Sequence, residues 1–387
     1  MNNCIRKLLL GCGLIMVAAG AMAQVKIGFL GTLSGPGAAL GQDQYDAFML
    51  AVEQHGGKLG GVPIEVIKED DQFKPDIGLQ LAQKLVQRDN VSFITGLTFS
   101  NVMMAVHKPI TDARVFLIGS VAGPSPIAGA QCSPYFFSTS WVNDDLAESG
   151  GQLVTDLGFK RVFVMVPDFQ AGRDAVEGFK RNFKGTVIQE VHTQLNQPDY
   201  SAELAQLQAA KPDAVYVFYP GAMGINFVKQ YRQAGLLGRI PLVSVATLDG
   251  ITLPALKALA AGAITAAPYS PDLDVPENKQ FVAAFEKKFG RVPSLYAAHS
   301  YDAANLIDSA LTRTKGNVAD KNALRAALKQ AGFKSVRGSF SFRSNQFPEA
   351  GFFRVDVAKD GNGGSLQTKG RIVAKNHSNL AAQCKME

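Results

Sequence analysis

The chain has 387 residues, of which 47% are hydrophobic and 19% charged. That balance belongs to a globular α/β protein, and the length exceeds what one domain usually spans, so two are expected. The formal charge of +6 is dispersed, without a Lys/Arg cluster interleaved with aromatics, which excludes a nucleic-acid surface and leaves a mild preference for anionic ligands.

The first residues read as an export signal. Arg6 and Lys7 form a positive start, residues 8–20 (LLLGCGLIMVAAG) an apolar stretch, and Ala21-Met22-Ala23 a small-x-small cleavage site. The apolar stretch is too short to span a bilayer comfortably. Residues 1–23 are therefore set aside as a signal peptide, and a soluble periplasmic product cleaved near Ala23 is expected. Leu9-Leu10-Gly11-Cys12 offers a rival reading as a lipobox that would leave a lipid on Cys12. Cys132 and Cys384 lie beyond the signal. Export to an oxidising compartment favours a disulfide between them over two unrelated thiols.

From Gln24 onward, strand-like and helix-like segments alternate. Residues 25–30, 62–70, 91–96 and 115–120 read as strands, separated by helices at 45–57, 75–89 and 101–113. The rhythm resumes with a helix at 150–159, strands at 161–168, 186–193, 213–220 and 240–246, and helices at 173–183, 201–212 and 225–236. A Pro-rich segment at 261–278 precedes helices at 278–290 and 296–314, and a β-rich tail at 340–361 ends in a hairpin-like Asp360-Gly361. Such alternation predicts parallel sheets with helices on both faces. The strands are too many for one sheet, so the expected architecture is two doubly wound lobes joined by strand crossings, with a ligand cleft between them. Crossings are expected near 138–145, 266–275 and 340–346. Ligands of open α/β sheets sit outside the carboxyl ends of the strands, here the loops at 31–42, 96–101, 119–125, 168–173, 219–224 and 246–250.

Enzyme motifs fail one by one. Gly35-Pro36-Gly37-Ala38-Ala39-Leu40 carries leucine where a dinucleotide fingerprint needs its third glycine. No lysine follows Gly41, so there is no phosphate-cradling loop. Ser34 sits one residue off the G-x-S-x-G nucleophile elbow. The histidines at 55, 107, 192, 299 and 377 are scattered, without HExxH or CxxC, so no metal is expected. The acidic pairs Asp70-Asp71 and Asp144-Asp145 could serve acid/base chemistry, but the second directly precedes a helix, where carboxylates favour the dipole. No catalytic residue and no cofactor are expected.

The run Gly31-Thr32-Leu33-Ser34-Gly35-Pro36, Gly41, His55-Gly56-Gly57 and Leu59-Gly60-Gly61 resembles the start of exported solute-binding proteins of the leucine/isoleucine/valine-binding family, which serve ABC importers. The resemblance continues through Glu69-Asp70-Asp71, 96–100 (GLTFS), 118–122 (IGSVA) and 301–304 (YDAA), and so covers the whole exported chain. It implies two Rossmann-like lobes joined by a three-strand hinge, with no catalysis. The corresponding lobes are 24–139 plus 271–340 and 140–270 plus 341–387, and the ABC permease with its ATPase is the implied partner of a monomeric binder. In this family a ligand carboxylate is held by a serine hydroxyl and backbone N–H groups, which fall here on Ser100 and on Val121-Ala122-Gly123, Gly123 standing where a threonine is usual. Ser100 also reads as the N-cap of a helix starting at Asn101, and the two roles are compatible because helix starts attract anions. Amino-acid binders carry an acidic partner for the ligand ammonium after the strand near 241–245. Thr247 occupies that position here, with Asp249 nearby as a substitute. An unpaired buried ammonium is costly, so a carboxylate without an amino group is the expected ligand. Leu40, Phe99, Trp141, Phe169 and Tyr219 complete the expected site, and aromatic walls suit a flat ring. Residues 136–141 (FFSTSW) resemble the first crossing of members associated with aromatic acids. The leading expectation is thus a benzoate-like or hydroxycinnamate-like carboxylate. Amino acids using Asp249, aliphatic acids, amides or urea-like solutes, and a ligand-sensing role for a membrane partner remain the alternatives.

Overall fold

The computed structural model describes residues 24–349, 351–361 and 363–386. The signal peptide and the Cys12 lipobox lie outside these residues. The first lobe opens with β1 (Val25–Gly31), α1 (Ala38–Gln54), β2 (Lys58–Leu59), β3 (Val62–Asp70), α2 (Pro75–Gln87), β4 (Phe93–Gly96), α3 (Ser100–Asp112), β5 (Phe116–Gly119), α4 (Ser125–Ala128) and β6 (Phe136–Ser138). Its sheet has the order β2-β3-β1-β4-β5-β6 and is parallel apart from the β2–β3 pair. The order reverses between β1 and β4, so the loops after these strands open the crevice in which α/β sheets take ligands.

The second lobe follows with α5 (Asn143–Asp156), β7 (Arg161–Pro167), α6 (Gln170–Asn182), β8 (Thr186–Thr193), α7 (Ser201–Ala210), β9 (Ala214–Val217), α8 (Ala222–Gln233), β10 (Leu242–Val245), α9 (Leu253–Leu256) and β11 (Ile264–Ala267). The chain then returns with α10 (Pro276–Phe289), α11 (Leu295–Thr314) and α12 (Lys321–Lys329), and ends in β12 (Phe352–Asp360), β13 (Gly363–Ile372) and α13 (Leu380–Gln383). The second sheet runs β13-β12-β11-β10-β9-β7-β8, with β12 and β13 antiparallel to their neighbours. β4, β5, β9 and β10 are buried at every position, as expected of short apolar strands covered on both faces. α11 closes the first lobe: Ala303, Ala304, Ile307 and Ala310 share a core with Phe48, Ala51 and Val52 of α1.

Two sequence expectations needed correction. α5 begins at Asn143, seven residues before the predicted start at 150. Its first turns are buried yet polar, so no apolar stripe marks them. Arg181 compensates Asp144 at 2.9 Å and Glu148 at 2.6 Å, and Arg343 compensates Asp145 at 2.7 Å. The Asp144-Asp145 pair therefore lies inside the helix and is held by arginines. α12 was not anticipated; Asp320 caps it by accepting from Asn322 N and Ala323 N, and Leu324, Ala327 and Leu328 seat it on the first lobe. Ser138 N donates to Gln346 O at 3.0 Å and Asn345 Nδ2 to Ala128 O at 2.7 Å, which ties residues 345–346 to the first lobe. The extreme C-terminus returns to it as well, because Cys384 is disulfide-bonded to Cys132 with the Cα atoms 5.6 Å apart.

His107 of α3 is enclosed in the first lobe, edge-on to Phe136 at 5.4 Å. Burial lowers its pKa to about 4, with Asp112 opposing and Lys108 adding to the shift. The folded protein thus binds this proton later than the unfolded chain does. His107 contributes stability that is intact above pH 6.5 and is lost as the pH falls through 4, at most about 3 kcal/mol. Between pH 7 and pH 4, the urea midpoint of wild type should fall relative to that of His107→Leu as the pH drops. Parallel curves would show that His107 titrates normally.

Candidate functional site

The glycine-rich turn after β1 is held by the acidic pair that follows β3. Thr32 Oγ1 donates to Asp71 Oδ1 at 2.5 Å and Leu33 N to Asp70 Oδ1 at 2.8 Å. Asp70-Asp71 therefore shapes the turn. Residues 35–37 form a single 3₁₀ turn leading into α1, whose third residue, Leu40, reaches across to the second lobe. Gly221 meets it there at φ +60°, and a Cβ on Gly221 would lie 2.5 Å from Leu40 Cδ1. Only glycine combines that backbone conformation with so close an approach.

Between the lobes lies a cavity of ≈ 30 Å³ lined by Leu40, Phe99, Ser100, Val121, Trp141 and Phe169 from the expected set. Thr98, Ala122, Asn143, Ala171, Phe218, Pro220, Ala246 and Tyr296 complete the wall. Phe99 of the first lobe stands edge-on to Phe169 of the second at 6.4 Å and stacks on Phe73 at 3.7 Å, while Phe169 stacks on Phe218 at 6.1 Å. Trp141 is buried beside His299, with ring centroids 5.0 Å apart. Rings from both lobes thus meet in the cleft.

Polar groups enter this aromatic wall at helix starts. Ser100, Asn143 and Ala171 lie in the first turns of α3, α5 and α6, where unpaired N–H groups and the helix dipoles favour negative charge. Asn143 Nδ2 donates to Ser100 Oγ at 3.1 Å and to Asp174 Oδ2 at 2.9 Å. Ser100 Oγ accepts that bond, which leaves its own proton to donate into the cavity. Burial raises the Asp174 carboxyl, against the bonds from Asn143, Gln170 and Ser125. None of the residues lining the cavity carries an ionisable acid or base apart from the Tyr296 phenol.

Other expectations meet a different geometry. Ser100 is the first residue of α3 and not its cap; Phe99 holds the N-cap position, with no side-chain capping bond. Gly123 does not line the cavity: a Cβ there would collide with the Trp141 carbonyl oxygen, so the usual threonine has no room. The Ala122 N–H is committed to Leu97 O at 3.0 Å. Tyr219 points into the second lobe's core, with its hydroxyl 3.1 Å from Thr193 Oγ1, and its neighbours Phe218 and Pro220 face the cleft instead. The period-two alternation of strand side chains was the signal that could have made this choice. Thr247 is likewise turned away; its hydroxyl accepts from Tyr219 N at 2.8 Å and donates to Val245 O at 3.1 Å. Asp249, the substitute for an ammonium partner, is buried outside the cavity wall. Its Oδ1 accepts from Ile251 N at 2.8 Å and Thr252 N at 2.9 Å. Burial raises its pKa to about 7, opposed by the Thr252 and Ile251 bonds and reinforced by Asp43. Asn143 and Tyr296 were missed because nothing local marks them; each enters the site through the packing of a helix start.

No helix among the described residues is long and apolar enough to cross a membrane. A periplasmic binding protein family model matches residues 24–362. Leu/Ile/Val-binding protein homolog 6 of Brucella melitensis is 30% identical over 338 residues, spanning 84% of this chain and 85% of that protein. An ABC-transporter solute-binding protein from R. palustris, solved with benzoate, superposes with a TM-score of 0.89 at 30% identity, covering 94% of this chain and all of that one. A second, from Rhodopseudomonas palustris BisB5 with 3,4-dihydroxybenzoic acid, gives 0.86 at 31% identity, covering 91% and 98%. Two α/β lobes, a cleft of aromatic rings and helix starts, and these matches together place the chain in the periplasmic binding protein family, as a non-enzymatic solute-binding protein of an ABC transporter.

Proposed function

We propose that the protein is exported to the periplasm, with cleavage near Ala23, and there captures an aromatic carboxylate of benzoate size as a monomer for an ABC permease and its ATPase. The observation that carries this reading is the composition of the cavity wall: aromatic rings, helix starts and the Ser100 hydroxyl, with no carboxylate and no ammonium or guanidinium side chain. An amino-acid ammonium would find no charged partner there, and leaving it unpaired costs several kcal/mol. A carboxylate needs no cationic side chain, because N–H groups and the dipoles of three helices already favour it. The ring would lie among Phe99, Trp141, Phe169 and Phe218, edge-to-face contacts adding about 0.5–1.5 kcal/mol per pair beyond burial. The solved relatives with benzoate and 3,4-dihydroxybenzoic acid support the same ligand class. Binding would proceed by hinge closure. The cavity is small and its rings touch across the lobes, so ligand entry requires the lobes to part.

The test is a thermal-shift screen on refolded, ligand-stripped protein with benzoate, 4-hydroxybenzoate, coumarate, leucine, valine, glutamate and a short aliphatic acid. Ligand at about 100 times its Kd stabilises by roughly 2.7 kcal/mol, a shift of a few degrees. Shifts with aromatic acids alone are expected. A shift with leucine or valine instead would mean that Asp249 reaches the ligand ammonium. Ser100→Ala should weaken aromatic-acid binding by roughly 1–3 kcal/mol in calorimetric titration. Unchanged affinity would move the carboxylate anchor elsewhere in the cleft.

A further inference from the structure

Tyr296 is the one cavity residue whose polar group the carboxylate anchor leaves unused. It stands in the first turn of α11, immediately after the α10–α11 connection, and is 2% exposed. Its hydroxyl has no hydrogen-bond partner among the described residues, and neither does Oδ2 of Asp249, which is 3% exposed. Native proteins leave few buried polar atoms unpaired, because each forfeits the hydrogen bonds it made to water. The Tyr296 hydroxyl is such an atom in the wall of a ligand cavity, and it calls for a partner.

The surroundings say what kind of partner. Asp249 is the charge that acts most strongly on the Tyr296 hydroxyl, and Asp43 follows. Asp43 is itself satisfied, by Ser294 N at 3.2 Å, by the Ser294 hydroxyl and by Arg291 Nε at 3.1 Å. The lobes meet at this point, since Gly250 packs against Pro293 and Ser294. The buried carboxyl groups of Asp249 and Asp43, the latter paired with Arg291, thus lie on this side of the cleft, whereas the starts of α3, α5 and α6 are electropositive. With the ligand carboxylate at Ser100, Tyr296 is the wall residue that still offers an unpaired side-chain polar atom. A group that fits there must donate a hydrogen bond and carry no negative charge.

We propose that the Tyr296 hydroxyl is a subsite for a hydroxyl on the ligand ring remote from its carboxylate, so that the cleft prefers hydroxylated aromatic acids to benzoate. The ring hydroxyl donates to Tyr296 Oη. A second carboxylate on the ring is repelled. This inference rests on the aromatic-carboxylate reading above and deepens it.

Calorimetric titration of the full exported chain with benzoate, 3-hydroxybenzoate, 4-hydroxybenzoate and terephthalate, repeated with Tyr296→Phe, separates the two. Wild type should bind at least one hydroxybenzoate about tenfold or more tighter than benzoate, the worth of one well-made buried hydrogen bond, and should reject terephthalate. Tyr296→Phe keeps the ring, so the ratio of hydroxybenzoate to benzoate affinity should fall to within about twofold of one. Benzoate bound as tightly as both hydroxybenzoates, or a preference that survives in Tyr296→Phe, overturns the subsite and leaves the aromatic-acid reading standing. Binding of no aromatic acid at all overturns both.

Discussion

Asp302→Ala is expected to lower the unfolding free energy by about 3–5 kcal/mol, the cost of leaving the other half of a buried ion pair uncompensated. The Asp302 side chain is fully buried and that of Arg337 only 9% exposed, with Arg337 Nε 3.3 Å from Asp302 Oδ2. Water cannot easily replace the lost partner at such burial. Asp302 also accepts from Ser335 Oγ at 2.6 Å and Val336 N at 3.2 Å, so several donors lose their acceptor at once. The guanidinium has a second task, donating to the carbonyl oxygens of Thr139 and Ser140. These are the residues just before Trp141 in the first crossing between the lobes, and Thr139 Oγ1 is tied to His299 O at 2.8 Å. The pair thus connects α11 to the crossing that delivers Trp141 to the cavity. Denaturant titration measures the stability loss, and titration with an aromatic acid below the new midpoint should show weakened binding as well. Replacing both partners by apolar residues of similar volume should recover part of the stability. A loss below about 1 kcal/mol would mean that Arg337 finds solvent, and that the crossing is held by something else.

The second large effect is expected at the disulfide. Cys132→Ser with Cys384→Ser should lower stability by about 2–4 kcal/mol, and reductant should lower the Tm of wild type to that of the double variant. The cysteines are 252 residues apart in sequence, so the link constrains a very long loop of the unfolded chain, where the entropic benefit is greatest in the chain-entropy model. In the folded protein it fastens the C-terminal segment to α4, where Leu380 packs near Gly129. A Tm insensitive to reductant would show that the two thiols are not joined in the isolated protein. A reductant effect that persists in the double variant would place its cause outside this bond.

Much of this protein could be read from residue order alone. β1, β3, β7 and β8 begin and end within a residue of where the sequence placed them: β1 and β7 because buried strands need a nearly continuous apolar run, β3 and β8 because their apolar and polar residues mix as in half-exposed strands. The alternation of such runs with amphipathic helices led to two doubly wound lobes, and the loops after β1, β4, β5, β7, β9 and β10 were recognisable as the rim of the cleft because their position follows from strand direction. Leu40, Phe99, Ser100, Val121 and Phe169 lie in these loops, whereas Trp141 lies in the first crossing, and Ser100 and Val121 were singled out by the family resemblance.

What needed the tertiary structure were choices between adjacent residues and groups brought together over long sequence distances. Phe218 and Tyr219 are both aromatic and both follow β9; which one faces the cleft depends on the strand's orientation in the folded lobe. Gly123 reads as a lost threonine until the Trp141 carbonyl is seen in the space a side chain would need. The polar start of α5 makes sense only with Arg181 and Arg343 beside it, and the tie between Asp302 and Arg337 spans helix and crossing. Residue order carries local periodicity and the direction of the chain. The facing of a side chain, the compensation of a buried charge and the polarity of each end of the cleft arise from contacts between segments that the order keeps apart, and only the packed lobes decide them.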